Sequence, residues 1–332
     1  SRRRHTRSLC DWSSDVCSSD LYRGRFAPSP TGPLHLGNLR TALISWLRAR
    51  LEQGVWLLRI DDLDTPRNRP GAEEAILADL AWLGLDWDPP LIRQSQRRGI
   101  YGSVLSALRR QGLLYPCRCS RRLLADISAP HGGLPVYPGT CRERQPLWAA
   151  QQGRLPSWRL RVAAEELAWW EESEGSTGGR IRREAQSQVG DLVLRRADGY
   201  LAYHLATAVD ELSFGISEVV RGEDLIAATA AQVAVCAALG QEPPAYWHVP
   251  LWLDASGRRL SKRDADGGVG GWRNQDGDAS ALVGMLAASL GLVPENSRLS
   301  AAELLQTLEP GGASSLRKLL GSRGPVAARV IS

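Results

Sequence analysis

The stretch YRGRFAPSPTGPLHLGN, residues 22–38, decides how this chain of 332 residues is read. Residues 22–27 have the composition of a short strand. The cluster Pro28-Ser29-Pro30-Thr31-Gly32-Pro33 then forces a turn, and residues 39–53 place apolar side chains at helical spacing. The order is strand, loop, helix, with His35 and Gly37 at the helix entrance. A glycine there lets a phosphate approach the backbone, the helix start offers unpaired N–H groups with positive partial charge, and an imidazole can hydrogen-bond phosphate oxygens. Together they make an anion cradle, although His-x-Gly alone recurs often by chance and a histidine in a turn is the plainer account.

Downstream, Val55–Ile60 reads as a buried strand, and residues 72–83 and 97–111 read as helices. Strands alternating with helices predict an α/β protein with a doubly wound parallel sheet. Over residues 115–190 the alternation lapses into Pro, Gly and Arg around a cysteine cluster, with an acidic, tryptophan-bearing run at 165–174 before Gly178-Gly179. This reads as an insertion. Patterning resumes at 191–209 and continues through a strand at 216–220, a helix at 227–239 and a strand at 247–253. A glycine-rich loop at 267–271 and helices at 280–291 and 300–308 follow. The expected units are an appended 1–21, a first half-domain 22–115, the insertion 116–190, a second half-domain 191–260, a loop and helical part 261–312, and a frayed 313–332.

Apolar residues make up 43% of the chain and charged residues 23%, which excludes collagen-like, disordered and disulfide-stapled classes. The longest weakly polar stretches, residues 227–240 and 281–293, fall short of the ~20 residues that cross a bilayer, so no membrane span is expected. The net charge of +5 suits a polyanionic partner only weakly. Of the 41 basic residues, only Lys262 and Lys318 are lysines. A lysine kept amid arginine marks a place where a compact ammonium serves better than a planar fork. The sole methionine is Met285, and residues 1–21 lack the apolar core of a secretory signal, so that stretch is expected to be an appended or disordered extension.

A second basic constellation, Arg258-Arg259-Leu260-Ser261-Lys262-Arg263, follows a strand and precedes the glycine-rich loop. A mobile lysine there can stabilise charge building on a phosphate in a transition state; the bland account is a solvated basic loop. Cys117, Cys119 and Cys141 crowd together without a secretory context, which favours metal over disulfide. Three thiolates take three corners of a tetrahedral site, and the fourth falls to Tyr137 or to His131, the ordinary chemical choice. Three buried thiols without metal is the alternative. Cys236, in an alanine-rich helix, reads as core.

His35-Leu36-Gly37-Asn38 resembles the HIGH motif of class I aminoacyl-tRNA synthetases, and Arg259-Leu260-Ser261-Lys262-Arg263 resembles their KMSKS motif. Arg25-Phe26-Ala27-Pro28-Ser29-Pro30-Thr31-Gly32 is similar to the RFAPSPTG opening of the glutamate enzymes. Leu58-Arg59-Ile60-Asp61-Asp62-Leu63-Asp64 is similar to their LRIEDxD, and Val219-Val220-Arg221-Gly222-Glu223-Asp224 to their VxRGxDL. The resemblance runs from about Tyr22 to Leu308. It departs at Asn38, where a second histidine often stands, and at Asp61, one methylene shorter than the usual glutamate.

The resemblance implies a Rossmann-like class I catalytic domain that takes ATP with Mg²⁺ at His35, Gly37, Asn38, Leu260, Ser261 and Lys262, with His35, Gly37, Asn38 and Lys262 catalytic. It implies L-glutamate at Arg25, Phe26, Ala27, Pro28, Ser29, Asp61, Tyr203 and Arg221. Arginine forks with an acceptor carboxylate suit a dianionic amino acid bearing one ammonium whatever the family. Read by its own neighbourhood, Tyr203 is a half-buried strand tyrosine. The Cys-x-Cys and Tyr-x-x-x-Cys spacings resemble the zinc knuckle of the glutamyl-queuosine tRNA(Asp) synthetases, which implies one Zn²⁺ per chain on Cys117, Cys119, Tyr137 and Cys141. After Arg263 come 69 residues, enough for a few helices and short of an anticodon-binding domain, as in that family. The expected partners are glutamate, ATP and tRNA(Asp) carrying queuosine, for a cytoplasmic monomer. The alternatives are a fragment of a glutamyl-tRNA synthetase, a small-molecule adenylyltransferase, and a non-catalytic zinc-stabilised RNA-binding module.

Overall fold

The structure, a computed structural model, describes residues 21–120, 136–144, 146–163, 165–172, 178–252 and 277–312, with positions 269, 273 and 316. In chain order the elements are β1 (Arg23–Phe26), α1 (Leu36–Leu51), β2 (Val55–Ile60), α2 (Ala72–Trp82), β3 (Asp88–Arg93), α3 (Arg98–Arg110) and β4 (Leu114–Cys117). There follow α4 (Thr140–Arg144), β5 (Ser157–Leu160), β6 (Glu166–Glu171), β7 (Gly179–Glu184), α5 (Ala185–Gln188) and β8 (Leu192–Arg195). Last come α6 (Tyr203–Ser213), β9 (Glu218–Gly222), α7 (Ile226–Ala238), β10 (Ala245–Val249), α8 (Ala279–Ser289) and α9 (Ala301–Leu308).

Strands β1, β2 and β3 form one parallel sheet, and β9, β10 and β6 form another, with β7 antiparallel on its edge. The two sheets meet where the Ser217 N–H donates to the Arg23 carbonyl at 3.0 Å and the Arg23 N–H donates to Ser217 Oγ at 2.9 Å. From β1 the chain therefore runs outward through β2 and β3 on one side and β9 and β10 on the other. Alternate residues feed two cores. Trp56, Leu58 and Ile60 of β2, Val220 of β9 and Trp247 of β10 pack with α1, α2, α8 and α9. Leu57, Val219 and Tyr246, one residue out of phase, pack with α3, α6 and α7. Period-two alternation between two apolar layers is what a sheet covered on both faces requires.

The sheets are mixed, which corrects the wholly parallel expectation: β4, β5 and β8 form a separate antiparallel sheet. Long stretches, residues 118–156 and 161–191, separate these strands in sequence, and their pairing brings Leu114, Leu160 and Leu194 together in the core shared with α3 and α6. Strands β6 and β7 fall within the stretch read as an insertion, and β6 pairs parallel to β10.

Helix α1 carries the structure toward the site. Leu39, Leu43 and Leu47 are fully buried along it, and deleting one such side chain to Ala costs ~2–5 kcal/mol. Arg48 in its last turn, favourable to the helix dipole, reaches Glu218 of β9 at 3.0 Å. At Gly54 a Cβ would lie 2.4 Å from the Tyr22 carbonyl oxygen, so only glycine allows β2 to start against β1. At the far end, α9 begins with a capping box between Ser300 and Glu303. Among the described residues, no helix is long and apolar enough to cross a membrane.

Candidate active site

In open α/β sheets, ligands settle beyond the carboxyl ends of the strands where the strand order reverses. Here that place lies beyond β1 and β9, and it is occupied by a cleft of about 350 Å³. Strand β1 and the loop after it contribute Arg25, Phe26, Ala27, Pro28 and Ser29, while the start of α1 contributes His35, Gly37 and Asn38. Asp61 enters from the end of β2, Arg221 from β9 and Tyr203 from the first turn of α6. Tyr203 is therefore the first residue of a helix, correcting the strand reading, and is 41% exposed toward the cleft. Leu260, Ser261, Lys262 and His131 lie outside the described residues, as do residues 1–20.

The cradle geometry follows from the cap. His35 is the N-cap of α1 in extended conformation, and its Nδ1 accepts the Asn38 N–H at 3.2 Å. The neutral ring then carries its proton on Nε2. A Cβ at Gly37 would sit 3.2 Å from the His35 ring, so any side chain there would press on the imidazole.

Each acidic or basic group expected to meet the amino acid is fixed by a deeper partner. Arg25 Nε donates to Glu211 Oε1 at 3.1 Å and Arg25 Nη1 to the Val220 carbonyl at 3.0 Å. Asp61 accepts from Arg59 Nε at 2.7 Å and Nη2 at 3.3 Å. Burial raises the Asp61 pKa, and Arg59 works against that rise. Behind Arg59 stands Asp210, fully buried, which accepts from Gln94, Arg97 and Tyr101 at 2.7–2.9 Å.

Arg221 is held on three sides: Nη1 donates to Gln232 Oε1 and Nη2 to Thr229 Oγ1, both at 2.7 Å, and Nε donates to His248 Nε2 at 3.1 Å. An arginine Nε always carries its proton, so His248 Nε2 must be the bare nitrogen and Nδ1 the protonated one. Glu171 Oε2, 2.7 Å from Nδ1, takes that proton's hydrogen bond. Burial lowers the His248 pKa and keeps the ring neutral. Sequence reasoning missed Glu171, His248, Gln232 and Glu211, because none shares a motif with the arginine it holds. It also missed Arg40 and Thr41, which line the cleft one turn beyond the cradle and were within reach of simple helical spacing.

A second cluster lies where β4 ends. The sulfurs of Cys117, Cys119 and Cys141 are within 4.8 Å of one another. The Tyr137 hydroxyl is 3.5 Å from both Cys117 Sγ and Cys119 Sγ, and Cys119 and Cys141 Sγ are 3.6 Å apart. With bond lengths of ~2.3 Å to sulfur and ~2.1 Å to oxygen, the sulfur–sulfur and sulfur–oxygen edges of a tetrahedral zinc site are roughly 3.8 Å and 3.6 Å. The donor chemistry suits zinc, and the Cys119–Cys141 separation and the two hydroxyl–sulfur distances are close to those edges. Burial opposes the Cys117 thiolate, yet hydrogen bonds from Tyr137 and Arg159 outweigh it and lower its pKa, whereas burial pushes Cys119 up to about 11. The Arg159 guanidinium carbon lies 3.6 Å from the centre of the Tyr137 ring.

The family model described as the catalytic domain of class I tRNA synthetases (E and Q) matches residues 22–306. A protein named Glutamyl-Q tRNA(Asp) synthetase from Prochlorococcus marinus (strain MIT 9313) is 58% identical over 87% of this chain and 88% of its own. One of the same name from Nocardia farcinica (strain IFM 10152) is 44% identical over 86% and 89%. The crystal structure of a glutamate tRNA ligase from Elizabethkingia meningosepticum, in complex with its amino acid, superposes with a TM-score of 0.68 at 27% identity. That match covers 86% of this chain and 64% of the ligase. An α1 cradle facing a buried arginine pocket, and sequence relatives matched over nearly their full lengths, lead to one conclusion: the chain belongs to the class I tRNA synthetases of the E and Q group.

Proposed function

We propose that this ligase activates L-glutamate with ATP and transfers the glutamyl group to the queuosine base in the anticodon loop of tRNA(Asp). The observation that carries this reading is the single cleft in which the phosphate cradle at His35, Gly37 and Asn38 faces Arg25, Asp61, Tyr203 and Arg221. The likeness to relatives of that name supports the choice of tRNA. The covered, largely parallel sheet is a Rossmann-like scaffold, and the protein acts in the cytoplasm as a monomer.

ATP arrives as its Mg²⁺ complex. A glutamate carboxylate oxygen attacks the α-phosphorus in line, the bond to the bridging oxygen breaks, and pyrophosphate leaves with that electron pair. His35 Nε2–H and Asn38 hold phosphate oxygens at the start of α1. Lys262, with Leu260 and Ser261, closes on the leaving group from the basic loop. Arg25 and Arg221 receive carboxylate, Asp61 receives the ammonium, Tyr203 lends a hydroxyl, and Phe26, Ala27, Pro28 and Ser29 form the wall. No covalent enzyme intermediate is needed; positioning and electrostatics supply the acceleration. A base hydroxyl of the tRNA then attacks the adenylate carbonyl and releases AMP.

Zinc on Cys117, Cys119, Tyr137 and Cys141 is structural in this reading, closing a segment with little apolar content. The test is acylation with radiolabelled glutamate of queuosine-containing tRNA(Asp), its unmodified transcript and tRNA(Glu). Label on the first alone is expected; label on tRNA(Glu) instead would replace this reading with ordinary glutamyl-tRNA synthesis.

A further inference from the structure

Buried arginines in this molecule come with partners. Arg25 pairs with Glu211 at 3.1 Å, Arg48 with Glu218 at 3.0 Å and Arg59 with Asp61 at 2.7 Å. Arg40 does not. It lies on α1, two residues beyond Asn38, is 5% exposed and lines the cleft, yet it makes no hydrogen bond or ion pair among the described residues. Its Nε is buried without an acceptor. Its neighbours are the Trp252 ring, whose centre is 5.8 Å from the guanidinium carbon, and Glu223, which acts only at longer range. Burial drags its pKa down to about 10, so it stays charged near neutrality.

A buried charge without a partner is costly, and proteins ordinarily remove it or pair it. This one opens on a cleft whose chemistry, in the function proposed above, brings an anion. Arg40 shares its helix with the cradle residues Gly37 and Asn38, whereas Arg25, Asp61 and Arg221 come from strands β1, β2 and β9. A planar fork is also the donor that matches phosphate oxygens two at a time.

We infer that Arg40 is a substrate-binding residue whose guanidinium takes the ATP phosphates, and that its charge, without an ion-pair partner among the described residues, is kept for that purpose. Arg40→Met keeps much of the stem and removes the charge, while Arg40→Lys keeps the charge and removes the fork. Calorimetric titration with Mg²⁺–ATP measures Kd, and glutamate-dependent ATP–pyrophosphate exchange measures KM for both substrates. Losing charge-assisted bonds to a phosphate should weaken ATP ~10- to 100-fold in Arg40→Met. Arg40→Lys should fall between it and the wild type, and the glutamate KM should stay within twofold.

A merely structural arginine would behave differently. Because Arg40 has no hydrogen-bond or ion-pair partner among the described residues, Arg40→Met should melt no lower than the wild type without ligand. Weakening of ATP by less than tenfold, or a lowered melting temperature with equal losses for both substrates, would overturn the inference. A wild type without exchange activity would instead overturn the activation reading, and the titration alone would then decide Arg40.

Discussion

The cleft and the thiol cluster are ordered by different means. Around the cleft, the arginines and the acid expected to meet glutamate are each seated on partners within the two large cores: Arg25 on Glu211, Asp61 on Arg59, Arg221 on His248. Among the described residues, the cysteine cluster packs apart from those cores, in a small apolar group of Tyr115, Tyr137 and the thiols themselves. In the proposed reading, structural zinc would contribute an apparent ~10–16 kcal/mol toward ordering this segment. On that reading, the fold seats the first site before ligand arrives, and the second would draw part of its order from zinc.

Four experiments test that contrast. The largest effect belongs to Lys262→Ala, which should lower the rate of glutamate-dependent ATP–pyrophosphate exchange ~100- to 1,000-fold, as loss of one transition-state contact does. Its glutamate affinity, measured by titration, should stay within about threefold, because Arg25, Asp61 and Arg221 are seated on partners elsewhere in the chain. Next, Cys141→Ser should drop the metal content from one per chain toward zero and cut transfer to tRNA ~10-fold or more, while exchange persists within about threefold. Exchange falling in step with metal would show that the two regions are one unit.

A smaller effect is expected at His248→Leu, which leaves the Arg221 Nε–H buried without an acceptor at a cost of ~1–3 kcal/mol. The glutamate KM should rise ~10-fold with kcat little changed, and His248→Gln, which restores an acceptor, should recover most of it. The smallest effect is on stability against pH. Burial depresses the pKa values of His248 and His204, so the unfolded chain binds more protons than the folded one as pH falls below 6.5. Their stabilisation is complete above that pH and is lost on acidification toward their folded values. The melting temperature should therefore fall from pH 7.5 to 5.5, and the double variant His248→Gln, His204→Asn should show a shallower fall.

Which parts of this were legible beforehand follows from where the information sits. Val55–Ile60 is an unbroken β-rich run and is a strand in the structure, and the helical spacing of 97–111 gives α3 within a residue of each end. Strand β3 contains Pro89 and Pro90, which hide it from any propensity argument. Strand β6 carries a readable alternation of buried and exposed residues, but its partner β10 is remote in sequence, and nothing local announces that pairing. The cradle and the thiol spacing are compact motifs, visible as strings. The partners that seat Arg25 and Arg221 come from helices and strands folded in from elsewhere, and only the tertiary structure discloses them.

In the proposed function, one cleft presents a phosphate cradle to a pocket selective for glutamate. The most direct measurement is amino-acid-dependent ATP–pyrophosphate exchange by the metal-loaded protein, with glutamate, aspartate and glutamine compared at equal concentration. Exchange with glutamate at least 100-fold above the other two is expected, a ratio within the range that buried polar recognition groups supply. Equal exchange with all three, or exchange with none, would contradict the account.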